Sequence, residues 1–314
     1  MDLRIRIPCK SFILGEYAVL DGGLCLGAAT TPHFEFFFRT KNESVQNLSL
    51  FHESSPAGKF LKSNFELFKN LEIKFSDPLL GQGGFGASTA QYLGLWAYRE
   101  CIVNSQSRSK LLEPERIKSM ISEYRDFAAG SEGRAPSGAD LVIQLAGGFN
   151  WIDSKTWDIQ KTKWPWPNLI GYLIATGNKL STHTHLQDLN DFNSNELFHI
   201  LQQARSSIKT MNLDHWIKSV NNYSNELEQL GLASPATLAI VREIRSWSGV
   251  LAAKGCGALG ADVIFCVLTS DEEKSVQSQL LSKNLKIVAT TETFSSGLEI
   301  LPYETSINRE LIRD

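Results

Sequence analysis

The chain has no excess of positive charge, no paired cysteine motif and no long apolar run, and each absence closes off a class of function. Lysine and arginine total 31 against 34 aspartates and glutamates, a formal charge of −3. Nothing in that balance points to DNA, RNA or an anionic membrane surface, so any anion is bound locally. The cysteines, Cys9, Cys25, Cys101, Cys256 and Cys266, are odd in number, scattered and free of any C-x-x-C pair. That pattern argues against a disulfide framework or a zinc ribbon and for reduced thiols. A membrane-spanning helix needs about 18 or more consecutive apolar residues, and the sequence has no such run. Its start, "MDLRIRIPCK", lacks the apolar core and small-residue cleavage site of a secretory signal. A soluble, cytoplasmic protein acting on a small molecule is expected, with no nucleic acid and no membrane among its partners.

What is present is an ordinary globular balance, 42% hydrophobic and 21% charged over 314 residues, enough for two domains. Residues 3 to 75 hold short runs rich in Phe, Ile and Val ("LRIRIP", "SFILGEYAVL", "HFEFFFRT", "LEIKFS") with Gly, Pro, Asn and Ser between them, the pattern of antiparallel strands. "ASTAQYLGLWAYRECIV" and "EPERIKSMISEYRDFAA" then repeat apolar residues at helical spacing. "SGADLVIQLAGGFNWID" reads as a short helix stopped at Gly147-Gly148, followed by a strand. The two prolines of "TKWPWPNLIG" suggest a boundary near 165, dividing the chain into 1–165 and 166–314. Beyond it, "LIGYLIAT" reads as a buried strand, and amphipathic helices are expected over 193–211, 212–231 and 235–253. Ser234-Pro235 is an N-cap and first-turn proline opening the third. "ADVIFCVL", a helix around "EEKSVQSQLL" and the strand "LKIVATT" complete the pattern. There is no internal repeat.

The stretch "GQGGFGASTA", residues 81–90, carries the most chemistry. A glycine-rich turn into a helix start makes an anion site, because first-turn N–H groups lack partners and carry about half a positive charge. The Gly-Lys-Ser/Thr ending of a Walker A loop is absent. Gly81-x-Gly83-x-x-Gly86 spells a dinucleotide fingerprint, but such a loop follows the first strand of a parallel unit and this one follows antiparallel-looking strands. A plain turn packing a tight helix start is a further alternative.

Read as Gly84-Phe85-Gly86-Ala87-Ser88-Thr89-Ala90, the stretch resembles the phosphate loop of the GHMP small-molecule kinases, the superfamily of galactokinase, homoserine kinase, mevalonate kinase and phosphomevalonate kinase. "PCKSFILGEYAVLDGG" is similar to the family's N-terminal motif and "AKGCGALGADVIFCVL" to its C-terminal glycine motif. "PSGADLVIQLAGG" resembles the catalytic-aspartate segment, and "ATGNKLST" the turn opening the second domain. The matches run from residue 8 to 268 and fall in the family's order. The resemblance implies an α+β, two-domain fold: an N-terminal, nucleotide-binding ribosomal-protein-S5-like domain over 1–165, a ferredoxin-like α/β domain over 166–314, and an active site between them. It implies transfer of the ATP γ-phosphoryl group, with Mg²⁺, to mevalonate or 5-phosphomevalonate.

By the same resemblance Gly83, Gly84, Phe85, Gly86, Ala87, Ser88 and Thr89 cradle the nucleotide phosphates, and the Ser88 hydroxyl is a Mg²⁺ ligand, where a helix cap is the plain alternative. Asp140 matches the catalytic carboxylate, although Ser137-x-x-Asp140 is also a capping box. Lys10 matches the lysine paired with that aspartate; taken alone it is a polar residue alternating out of an edge strand. Glu16 and Tyr17 match residues lining the acceptor pocket, or form a surface pair. Ser137 and Thr182 are acceptor contacts or turn residues, and Lys179 meets an anionic acceptor or is simply solvated. His183-x-His185 lacks further patterned ligands and is not read as a metal site.

The sequence departs from the family at Ala87, where a serine is usual, and at Leu259 and Ala261, which replace glycines. Ala129 stands where mevalonate kinases carry a glutamate metal ligand, with Glu132 as a nearby substitute. The "GEYAVL" start and Asp262 favour the phosphomevalonate side. A non-catalytic ATP-binding relative, a diphosphomevalonate decarboxylase-type enzyme and, more distantly, a nicotinamide or flavin oxidoreductase remain alternatives; a homodimer is compatible with any of them.

Overall fold

A computed structural model describes residues 2–45, 47, 49–80, 82–128, 135–177, 192–260 and 263–302. Two antiparallel sheets organise it. The first is built on β1 (Leu3–Leu14) and the long β2 (Leu24–Thr40), whose ends pair with β3 (Leu71–Ser76) and β4 (Phe149–Asp153). β5 (Ile159–Thr162) extends it beyond β4. β2 shows why this sequence makes a strand: Phe34, Phe36 and Phe38 are buried while Glu35 and Phe37 between them are half-exposed, the period of two of a pleated strand with one covered face. That face receives α3 (Ala87–Tyr98), where Tyr98 stacks on Phe38 with centroids 4.4 Å apart. The approach is close enough that a Cβ at Gly94 would lie 2.3 Å from the Phe36 ring.

Around α3 lie α1 (Pro56–Ser63), α2 (Phe65–Phe68), α4 (Arg108–Leu111), α5 (Pro114–Ala128) and α6 (Ala139–Ala146). α1 and α2 were not anticipated from sequence, and the end of the "SFILGEYAVL" run, with Asp21, forms a 3₁₀ turn over Ala18–Asp21 rather than strand.

The second sheet has the order β7-β8-β6-β9, from β6 (Leu169–Ala175), β7 (Val250–Cys256), β8 (Val263–Thr269) and β9 (Lys286–Thr290). With helices between its first and second and its third and fourth strands, this is the ferredoxin-like arrangement. One face, with Leu173, Phe265 and Val267, joins the main core with Trp216. The other packs Tyr172, Ile174, Ile264 and Cys266 against α9 (Pro235–Arg245) and α10 (Glu273–Ser282). α7 (Asn195–Thr210) and α8 (Leu213–Gln229) pack together, and α8 lies on β7.

One sequence expectation is corrected. The helix expected over 235–253 ends at Arg245, because a turn through Gly249 (φ +78) precedes a strand that already includes Val250 to Ala253. The Ser234 cap itself is present, its hydroxyl accepting from the Thr237 amide at 3.1 Å. The segment after β9 does not stay with the second sheet. Phe294 bridges Thr30, and β10 (Glu299–Pro302) pairs with β1 in the first.

Candidate active site

The site residues meet where β1, the turn before α3 and the start of α6 converge. The backbone N–H of Lys10 on β1 donates to Phe85 O at 3.0 Å, fixing the turn against the strand. Gly86, the N-cap of α3, holds φ +88, and a Cβ there would lie 2.8 Å from both Gln144 Nε2 and Lys10 Cγ. Glycine is required on both counts. No side chain caps α3, which leaves the first-turn N–H groups of Ala87, Ser88 and Thr89 available to an anion.

Asp140 occupies the first turn of α6. Its N-cap is Gly138 at φ +80 with no side-chain cap, so the capping-box alternative does not hold. Ser137 Oγ instead accepts from the Ala139 amide at 3.3 Å, and the Asp140 carboxylate turns to Lys10, with Nζ to Oδ1 3.1 Å. The Lys10 side chain is 6% exposed and that of Asp140 27%, so the ammonium is set into the protein and the carboxylate keeps an open side. Lys10 is thus not an edge-strand surface residue: its side chain is buried and its backbone N–H is taken by Phe85 O. Cys25 on β2 is buried nearby, and burial, reinforced by the Asp140 and Glu16 carboxylates, holds its thiol well above the ordinary range. It is no nucleophile at neutral pH.

Glu16 and Tyr17 are buried rather than a surface pair. Glu16 Oε1 accepts from Lys254 Nζ at 2.7 Å, across 238 positions of sequence, and Tyr17 Oη accepts from the Leu259 amide at 2.8 Å. Burial pushes the Glu16 carboxyl up, with Lys254 pulling against it. Leu259, standing where a glycine was expected, keeps the left-handed conformation at φ +51. These contacts join the "GEY" turn to the C-terminal glycine motif.

Other expected site residues are placed differently or not described. Thr89 does not present its hydroxyl to a ligand; it is 6% exposed and donates to Gln144 Oε1 at 2.8 Å. The Phe85 ring is buried, leaving only its backbone at the turn. Ser88 is exposed and is the described hydroxyl at the helix mouth. Glu132, Thr182, Lys179, His183, His185, Ala129, Ala261 and Asp262 lie outside the described residues. Among those described, no group of three His, Cys, Asp or Glu side chains is arranged to hold a metal. No described helix is long and apolar enough to cross a membrane.

Sequence reasoning missed Gln144, Arg125 and Lys254. Gln144, fully buried in α6, donates through Nε2 to Pro8 O at 3.0 Å and Gly86 O at 3.1 Å. Arg125 of α5 donates to Pro136 O at 3.0 Å and Ser137 O at 2.9 Å, holding the approach to α6. A lone polar residue in the apolar "DLVIQLA", one turn after Asp140, was the available signal for the first.

All pairings among the described strands are antiparallel, which removes the dinucleotide-fold alternative, since that loop belongs to a parallel unit. No family model matches the sequence, and no curated protein does. Solved structures do match in fold. Mevalonate kinase of Methanococcus jannaschii aligns over 92% of this chain and 97% of its own at 15% identity, with TM-score 0.69. Phosphomevalonate kinase of Streptococcus pneumoniae, in complex with phosphomevalonate and AMPPNP, aligns over 91% and 98% at 15% identity, TM-score 0.70. Lactococcus lactis galactokinase with galactose aligns over 95% of each chain at 12% identity, TM-score 0.72.

Proposed function

We propose that this chain, which has the fold shared by the GHMP small-molecule kinases, is an ATP-dependent kinase acting on mevalonate or 5-phosphomevalonate. The observation that carries the reading is the Lys10–Asp140 pair, 3.1 Å apart, beside the uncapped first turn of α3.

In this reading the N–H groups of Ala87 to Thr89 hold the ATP phosphates. An acceptor oxygen attacks the γ-phosphorus, the bond from that phosphorus to the β,γ-bridging oxygen breaks, and its electron pair leaves on ADP. When the acceptor is a hydroxyl, its proton passes to the open side of the Asp140 carboxylate. Lys10 orients that carboxylate and places a positive charge beside the transferring group. Because phosphoryl transfer passes through a loose transition state, positioning and charge neutralisation supply most of the rate. Mg²⁺ would neutralise phosphate charge; the exposed Ser88 hydroxyl is a hard oxygen suited to it.

The choice of acceptor draws on the "GEYAVL" start. The test is ADP release by the wild-type protein with MgATP over a panel holding mevalonate, 5-phosphomevalonate, galactose and homoserine. Acceptor-dependent release with either of the first two is expected. Release with galactose or homoserine alone would move the acceptor elsewhere in the fold family, and nucleotide binding without release across the panel would contradict the kinase reading.

A further inference from the structure

We infer that Gln144 is a positioning residue for phosphoryl transfer, locking the phosphate turn to the Asp140 helix and so setting the gap between the γ-phosphate and the carboxylate. The inference rests on the kinase reading and concerns a residue that touches no substrate in it.

The amide of Gln144 is fully used. Its two N–H groups meet Pro8 O and Gly86 O, and its oxygen accepts from the Thr89 hydroxyl at 2.8 Å. The orientation is forced, because the flipped amide would set its oxygen against two carbonyl oxygens. Burial is complete, so an unpartnered amide here would be costly. A polar side chain kept at such a place ties specific backbone atoms together.

Those atoms belong to the three segments that build the site. Asp140 and Gln144 are one turn apart on α6, about 6 Å along its axis. Pro8 and Lys10 are two residues apart on β1, about 6.6 Å. The two spacings match, so the helix lies along the strand with Asp140 on Lys10 and Gln144 on Pro8. The turn is held to β1 by the Lys10 amide on Phe85 O. The remaining side of the triangle, turn to helix, is carried by Gln144 on Gly86 O and Thr89. Without it the turn keeps its strand contact, its free N–H groups and the packing of α3 on α6, but loses the hydrogen bonds that fix its position relative to Asp140.

Misplacement by about 1 Å typically costs a transfer reaction about a hundredfold, while phosphate affinity depends on N–H groups the change leaves alone. Gln144→Met, of similar length and without the amide, is therefore expected to lower kcat by roughly 10- to 100-fold with the KM for ATP within about threefold. A shifted γ-phosphate is also met more often by water, so the ratio of acceptor phosphorylation to ATP hydrolysis should fall. That ratio separates positioning from mere loss of folded protein, which lowers both products together.

The experiment measures ADP and phosphorylated acceptor in parallel, with MgATP and either mevalonate or 5-phosphomevalonate, for wild type, Gln144→Met, Thr89→Val and the double variant. Thr89→Val removes one tie and leaves the amide in place, so it gives the answer even if Gln144→Met folds poorly. The expected result is a lowered transfer-to-hydrolysis ratio in both single variants, with the double no worse than Gln144→Met. Wild-type transfer with an unchanged ratio in both single variants overturns the role of Gln144 and leaves the kinase reading standing. A wild type that transfers to neither acceptor overturns the reading and this inference with it.

Discussion

Removing the Lys254 ammonium should be among the most damaging single changes to stability, for a reason visible in the geometry. Lys254 is fully buried and Glu16 4% exposed, with Nζ and Oε1 2.7 Å apart, and Glu16 Oε2 has no hydrogen-bond partner. An exposed pair at this distance is worth about 0–1 kcal/mol. Here desolvation dominates: Lys254→Met leaves a buried carboxylate without its ion-pair partner, and breaking such a pair costs about 3–5 kcal/mol. At roughly 2–4 °C per kcal/mol for a protein of this size class, the melting temperature should fall by about 6–20 °C. Replacing both charges, Lys254→Met with Glu16→Gln, removes the stranded charge and should recover about half of the loss or more. The deficit also depends on pH with a definite sign. With Lys254 gone, burial acts on a Glu16 carboxyl already above its ordinary value, opposed only by a backbone hydrogen bond and the charge of Lys10. The folded state then binds a proton the unfolded state does not, so stability is fully present below the unfolded pKa and lost as pH rises through the folded one. The Lys254→Met deficit should therefore shrink on acidification from pH 8 to 6. Urea unfolding of wild type, Lys254→Met, Glu16→Gln and the double variant, with slopes compared, measures this. A cost below about 1 kcal/mol, the surface-pair value, or single effects that simply add would refute it.

Three further outcomes follow from other contacts. Gly86→Ala forces an L-residue to φ +88 and sets a Cβ 2.8 Å from Gln144 Nε2 and Lys10 Cγ; the backbone term alone is about 1–2 kcal/mol, and isothermal titration should show ATP affinity reduced more than tenfold. His33 accepts from Arg6 through Nδ1 at 3.2 Å and meets Ser295 Oγ through Nε2 at 2.7 Å, and burial, then Arg6, holds its pKa below 6.5 against the pull of Glu299 and Glu35. The unfolded state thus takes up the proton first, so this group's stability is present above its unfolded pKa and lost as pH falls; the melting temperature should drop from pH 7 to 5 more steeply in wild type than in His33→Gln, and equal slopes would count against it. Tyr17→Phe removes the acceptor for the Leu259 amide, so hydrogen exchange at Leu259 should accelerate, with about 1 kcal/mol lost overall.

The site's parts were legible one segment at a time, because each motif is local: glycines before a helix start, a lysine after Pro8, an aspartate in a short helix. What a side chain faces across the fold was not. Thr89 looked like a phosphate contact, since sequence gives its place on the helix but not the Gln144 oxygen buried behind it. Glu16 carried no sign of Lys254, whose side chain reaches it from a strand of the other sheet. The overlong helix at 235–253 came from "SGVLAAK", whose apolar residues suit a helix or a buried strand until the Gly249 turn decides. The return of β10 to β1 is a pairing between the two ends of the chain that periodicity cannot express. α1 and α2 were hidden in a polar stretch whose Ser55-Pro56 start is a cap and first-turn proline, with the Ser55 hydroxyl accepting from Gly58.

The central claim is that the Asp140 carboxylate serves an acceptor brought to a nucleotide held at the mouth of α3. It is tested most directly by following label from γ-labelled ATP into mevalonate or 5-phosphomevalonate with wild type and Asp140→Asn, which keeps the shape and removes the charge. The account predicts transfer by wild type and a loss of at least about a hundredfold in kcat for the variant, within the range of general-base contributions, with ATP binding retained. Transfer by Asp140→Asn at the wild-type rate would contradict it.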